Sequence, residues 1–137
     1  MSYRLVIVGA TGAVGHKLLS TIIERNFPAK EIHLLASKNS EGKKINFNNK
    51  EFVVESLEKF DFSKADIAFF SAGATVSSKY ALDAEKNNCY VIDNTSFFRM
   101  HKDIPLIIPE VNEDVLNNTT RKIIANPNCS TIQMLVA

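Results

Sequence analysis

Leu5-Val6-Ile7-Val8-Gly9-Ala10-Thr11-Gly12-Ala13-Val14-Gly15-His16-Lys17-Leu18-Leu19 decides the fold. Four consecutive apolar residues ending at a glycine are the mark of a short strand covered on both faces. From Val14 the pattern changes. Val14, Leu18, Leu19, Ile22 and Ile23 are spaced 4, 1, 3 and 1, an amphipathic helical stripe that stops near Asn26-Phe27-Pro28. A buried strand, a glycine turn and a helix in that order open a β-α-β unit. The turn reads Gly-x-x-Gly-x-x-Gly, one residue longer in its first gap than the common dinucleotide fingerprint. Gly9 permits the tight turn, Gly12 leaves room for a pyrophosphate against backbone N–H groups, and Gly15 lets the helix pack close to the strand. The helix start then offers unpaired donors to the phosphates.

The alternation continues outward. Strand signals fall at Glu31–Ala36, Ile67–Phe70, Tyr90–Ile92 and Lys122–Ala125, with a further short strand at Leu106–Ile108. Ile45–Glu55, folded around Asn48-Asn49, reads as a small hairpin or a pair of edge strands. Ser37–Lys44 reads as a polar loop. A second helical stripe runs through Val76, Tyr80, Ala81 and Ala84, and Val111–Asn118 reads as one or two helical turns. The expected class is α/β: a doubly wound, mostly parallel sheet with helices on both faces. Residues 1–137 make one dinucleotide-binding domain by length. The chain stops at Gln133-Met134-Leu135-Val136-Ala137, inside an apolar helical pattern, so the expectation is the front piece of a longer protein whose second domain is absent.

Composition narrows the function. Sixteen Lys and Arg against fifteen Asp and Glu give a net charge of +1, so no positive field holds a nucleic acid. No apolar run approaches a membrane span and no secretory signal opens the chain, so a cytoplasmic location is expected. No metal site is expected. Two cysteines make no disulfide framework. Cys89 begins a strand and reads as core. Cys129 follows Asn126-Pro127-Asn128, where Pro127 disfavours a helix and Asn128 is a good cap. That puts Cys129 in the first turn of a new helix, a position that favours thiolate chemistry, on the same sheet end as the glycine turn. A thiolate beside a nicotinamide points to aldehyde chemistry through a thioester. A small buried core residue is the competing reading.

The end of the second strand bears on the cofactor. An acid is usual there where NAD ribose hydroxyls are held. Here Ala36-Ser37-Lys38-Asn39-Ser40 carries none, and Ser37, Ser40 and Lys38 suit a 2′-phosphate, which favours NADP.

Taken together, Gly-Ala-Thr-Gly-Ala-Val-Gly at 9–15, Leu-Leu-Ala-Ser at 34–37, Phe-Ser-Ala-Gly at 70–73, Asp-Asn-Thr-Ser at 93–96, Pro-Glu-Val-Asn at 109–112 and Asn-Pro-Asn-Cys-Ser-Thr-Ile-Gln at 126–133 resemble bacterial aspartate-semialdehyde dehydrogenases. The resemblance runs through the whole chain. It implies a Rossmann-like fold and the reversible NADPH-dependent reductive dephosphorylation of aspartyl-4-phosphate to aspartate semialdehyde. That step serves lysine, methionine, threonine and diaminopimelate synthesis. It implies Cys129 as the thioester-forming nucleophile, with Arg99 and Asn128 at the substrate, Arg99 on its phosphate. Gly9, Thr11, Gly12, Ala13 and Val14 would hold the cofactor phosphates; Ser37, Lys38, Asn39 and Ser40 its ribose side; Ala72 and Gly73 would also line it. The substrate is small, aspartyl phosphate or the semialdehyde with phosphate, and the full-length parent is a homodimer. Asn39-Ser40 departs from the family's usual Arg-Ser. The family's base His, substrate Gln and carboxylate-binding Arg come from a later domain, and His16, His33 and His101 match none of them. The sister N-acetyl-glutamyl-phosphate reductase shares the glycine start but shows Gly-Cys-Tyr where this chain has Asn128-Cys129-Ser130. A non-catalytic nucleotide-binding relative is the remaining alternative.

Overall fold

A computed structural model describes all 137 residues. Seven strands form the sheet: β1 (Tyr3–Val8), β2 (Ala29–Ala36), β3 (Lys44–Phe47), β4 (Lys50–Ser56), β5 (Ile67–Phe70), β6 (Tyr90–Asp93) and β7 (Ile123–Ala125). Four helices accompany them: α1 (Ala13–Glu24), α2 (Ala74–Lys86), the single turn α3 (Pro109–Asn112) and α4 (Cys129–Val136). The strand order is β3-β4-β2-β1-β5-β6-β7, and every pairing but that of β3 with β4 is parallel. The chain winds outward from β1 through β2 to the β3–β4 hairpin, then returns to β5 and winds the other way. The direction reverses between β1 and β5. In an open α/β sheet a ligand sits at that switch, beyond the carboxyl ends of the strands.

Alternate residues of β1 face opposite layers, as strand geometry requires. Leu5 and Ile7 pack with Leu34 and with Leu19 and Ile22 of α1. Val6 and Val8 pack with Leu35, Phe70 and Val91 and with Ala81 and Ala84 of α2. The two helices therefore cover opposite faces. Asn48 and Asn49 hold positive φ at the hairpin tip, a conformation that asparagine tolerates.

Two readings of the sequence need correction, and two short elements went unread. Leu106–Ile108 forms no strand; Leu106 makes one isolated bridge to Ala125, because Pro105 and Pro109 bracket it and remove two backbone donors. The stretch 37–44 is not all loop, since Lys38–Ser40 closes a 3-10 turn. Two more 3-10 turns, Leu57–Lys59 and Phe62–Lys64, deliver Leu57 and Phe62 to the core. Their apolar residues lack a period long enough to be read as an element. No helix is long and apolar enough to cross a membrane.

Candidate active site

The glycine turn lies at the switch between β1 and β5. Gly9 has φ +87, and a Cβ there would stand 3.0 Å from the Ala72 nitrogen, so both conformation and space demand glycine. At Gly15 a Cβ would come within 2.7 Å of the Ala10 Cα, so the first turn of α1 lies directly on the loop. Gly12 differs. Its φ is −85, and a Cβ would approach only the Gly9 carbonyl, at 3.4 Å. The protein itself does not need glycine there; the space it leaves open faces outward.

Backbone donors surround that space. The Gly12 N–H is spent on the Gly9 carbonyl and the His16 N–H on the Gly12 carbonyl. The N–H groups of Thr11, Ala13, Val14 and Gly15 have no acceptor in the protein. Together with the positive end of the α1 dipole they suit a phosphate. Gly73, with φ +94, plays the corresponding part at the start of α2. Between these turns lies a cleft of about 450 Å³. Gly9, Thr11, Gly12, Ser37 and Ala72 line it, as do Leu57, Glu58, Val76 and Tyr80. The sequence reading missed the last four; the end of β4, as the next parallel strand, was the available signal for Leu57 and Glu58. Lys38, Asn39 and Ser40 do not line the cleft but form the turn just beyond Ser37. Ala13, Val14 and Gly73 likewise stand outside its walls.

A second hollow, of about 270 Å³, joins Val14 and Leu18 of α1 to Asn94 and Asn126, the residues that follow β6 and β7. Asn128 caps α4, its side chain accepting the Ser130 N–H at 2.9 Å, and Cys129 is exposed at the first position of that helix. Arg99 reaches the same corner. Its Nε donates to the Asn126 carbonyl at 3.0 Å and its Nη2 to the Asn94 carbonyl at 3.1 Å. The buried Asp93 carboxylate accepts from Ser77 Oγ at 2.8 Å and from the N–H and hydroxyl of Thr95 at 3.1 and 2.9 Å, tying the loop after β6 to α2. Cys89 is fully buried, and burial pushes its thiol up to about 12. His33 meets Glu55 at 2.8 Å on β4, His16 lies in α1 and His101 packs on Phe97 and Phe98; none adjoins Cys129 in the network just described. No group of side chains here is suited to a metal ion.

The largest cavity, about 670 Å³, opens at the opposite end of the sheet among Tyr3, Phe27, Tyr90 and Lys122. It holds no glycine turn and no helix start, so size alone does not make it the ligand site.

A parallel sheet with this switch point, floored by unpaired backbone donors, defines a Rossmann-type NAD(P)-binding domain. Residues 4–119 match the family model described as semialdehyde dehydrogenase, NAD binding domain, and the chain belongs to that family. It is 52% identical over 136 residues to an aspartate-semialdehyde dehydrogenase of Shewanella violacea, covering 98% of this chain and 40% of that protein. It is 54% identical to aspartate-semialdehyde dehydrogenase 2 of Vibrio cholerae, with the same coverage. The crystal structure of the Vibrio cholerae enzyme II complexed with ASA superposes with a TM-score of 0.94 at 52% identity, covering 99% of this chain and 45% of that one. These relatives carry the aspartate-semialdehyde dehydrogenase name rather than that of the sister reductase. The chain spans about 40% of the length of the curated relatives it matches.

Proposed function

We propose that this domain is the NADP-binding part of an aspartate-semialdehyde dehydrogenase, with Cys129 as its nucleophile. One observation carries the reading: the cleft beside the unpaired N–H of Thr11 and the capped helix start at Cys129 stand at the same end of one sheet. The N–H groups of Thr11, Ala13 and Val14 hold the pyrophosphate, and the space beside Gly12 receives it. Ser37 hydrogen-bonds the ribose, with Lys38, Asn39 and Ser40 beyond it facing the 2′-phosphate. Ala72 closes the other wall, with Gly73 just behind it at the start of α2. NADPH, when bound, supplies the hydride that takes an acyl group to the aldehyde. Cys129 Sγ bonds the acyl carbon of aspartyl-4-phosphate, and the phosphate leaves with the C–O bonding pair. Arg99 meets that phosphate, for which a guanidinium is the matched partner. Asn128 presents the free N–H₂ of its amide to the substrate, its oxygen being held by the cap.

The activity belongs to the whole protein, which we place in the cytoplasm as a homodimer acting on the phosphate and semialdehyde forms of aspartate. No acid–base group stands with Cys129 among the contacts of this chain, and proton transfer needs one in reach. The 137-residue chain alone is therefore expected to bind NADP⁺ and to turn over no semialdehyde. In the whole protein, Cys129→Ser is expected to abolish turnover and leave NADP⁺ affinity unchanged. Turnover by the isolated chain, or by the Cys129→Ser enzyme, contradicts the assignment.

A further inference from the structure

One side chain ties the peptide that leads from β7 to Cys129 to the loop after β6. Arg99, half-buried, spends Nε on the Asn126 carbonyl and Nη2 on the Asn94 carbonyl. Those carbonyls follow the ends of two adjacent parallel strands. The same two residues are joined a second time, Asn126 Nδ2 donating to Asn94 Oδ1 at 2.7 Å, and the Asn126 N–H donates to the Asp93 carbonyl at 2.8 Å. Two residues later the Asn128 cap starts α4 at Cys129.

A guanidinium offers its five N–H groups along two bidentate edges in one plane. The Nε–Nη2 edge of Arg99 is taken by the carbonyls. Nη1 has no acceptor in the protein, which leaves the Nη1–Nη2 edge open. We propose that Arg99 is a positioning residue for Cys129 as well as a phosphate ligand. One edge clamps the Asn94 and Asn126 carbonyls and so fixes the segment from which the Cys129 helix starts. The other edge, already oriented by that clamp, meets the phosphate oxygens. Only this second half rests on the function proposed above. Lysine keeps the charge but not the plane: a tetrahedral ammonium lacks two parallel N–H vectors for the carbonyls and a second pair for an anion. The Asn94 side of the clamp is itself anchored, because the neighbouring Asp93 accepts from Ser77 of α2 and from Thr95.

The test uses the 137-residue chain without cofactor, with Arg99→Lys and Arg99→Met variants. The readouts are hydrogen exchange at the Asn126 N–H and the rate of Cys129 alkylation by iodoacetamide; Cys89 is buried and does not compete. Removing bonds from a charged donor is expected to raise Asn126 exchange and alter the alkylation rate by about tenfold in both variants. Lysine rescue of both readouts would show that charge alone matters and would overturn the clamp, as would parental behaviour in both variants. If neither variant folds, the parent decides. An Arg99 Nε–H that exchanges far more slowly than that of exposed Arg25 supports the clamp, and equal exchange overturns it. Inorganic phosphate then separates the two halves. Phosphate that shifts the Arg99 Nη resonances while Asn126 stays protected supports both. Failure of phosphate to shift them, with Asn126 protected, refutes the phosphate role and leaves the clamp standing.

Discussion

At the N-terminal ends of the parallel strands the polar groups are paired with one another; at the C-terminal ends several are left without partners. Arg4, at the start of β1, meets the Asp66 carboxylate through Nε at 3.2 Å and Nη2 at 2.6 Å, while its own N–H donates to the same group at 2.7 Å. Arg121, before β7, holds Glu85 at the end of α2 at 2.9 and 2.8 Å and reaches Asp103, and Glu85 also accepts the Lys122 N–H. These bonds hold the Asp66 and Glu85 carboxyls below the usual carboxylate range, the arginine bond being the largest cause in each. At the other end, Thr11, Ala13 and Val14 have unaccepted N–H groups and Gly12 leaves open space. One end completes its bonds within the chain; the other keeps donors free for the cofactor proposed above. Changes at the first end are therefore expected to alter stability, and changes at the second to alter binding.

The largest expected effect is at Gly12. Gly12→Val puts a side chain into the phosphate space, its Cβ meeting only the Gly9 carbonyl, at the ordinary contact distance of 3.4 Å. NADP⁺ and NAD⁺ binding, measured by calorimetry, is expected to fall by more than about a hundredfold, roughly 2.7 kcal/mol. Stability is expected to change by only about 1 kcal/mol, the scale of a less favoured cap residue. A variant that unfolds but binds normally when folded would break the division between the ends.

Glu85→Gln attacks the paired end. Both side chains of its pair with Arg121 are less than a quarter exposed. Hydrogen bonds of this charged kind contribute about 1.5–3 kcal/mol, so a loss of about 2 kcal/mol in denaturant unfolding is expected, with NADP⁺ affinity unchanged. The pH dependence has a definite sign. The folded-state pKa is depressed from its ordinary 4.5, so the contribution is present above that pH and is lost as pH falls through the folded value. The stability gap between parent and variant is therefore expected to close in acid; a constant gap down to pH 2 would contradict the ion-pair account.

Asn39→Arg is expected to have the smallest effect and sharpens the comparison within the open end. Asn39 sits in the exposed turn after Ser37, outside the cleft wall. A guanidinium there adds one charged hydrogen bond for a 2′-phosphate. NADP⁺ binding is expected to tighten roughly tenfold, with NAD⁺ nearly unchanged. Equal gains for both cofactors would place the new charge on the pyrophosphate instead.

The same division governs what was legible in the sequence. The glycine turn is made of backbone, so Gly9, Gly12 and Gly15 could be read from spacing and flanking periodicity; the structure gives Gly9 and Gly15 a steric reason and leaves open space at Gly12. The strands of the parallel sheet were legible as apolar runs, and Asn128 as a cap. The walls of the cleft were less so. Leu57 and Glu58 lie in a 3-10 turn with no period of its own, and Tyr80, read as part of a helical stripe, both packs on the core and lines the cleft. The Leu106 stretch looked like a strand because Leu106, Ile107 and Ile108 are apolar and the last two β-branched, yet flanking prolines allow it one bridge. The Arg99 clamp joins residues 27 positions apart, and only the pairing of β6 with β7 brings them together.

The most direct test of the account is a ¹H–¹⁵N spectrum of the 137-residue chain titrated with NADP⁺. The account predicts saturable shifts at Gly12, Ala13, Val14, Ser37, Ala72 and Gly73, with Tyr3, Asp66, Tyr90 and Lys122 unmoved. Shifts confined to Tyr3, Phe27, Tyr90 and Lys122, around the larger cavity at the paired end, would contradict it.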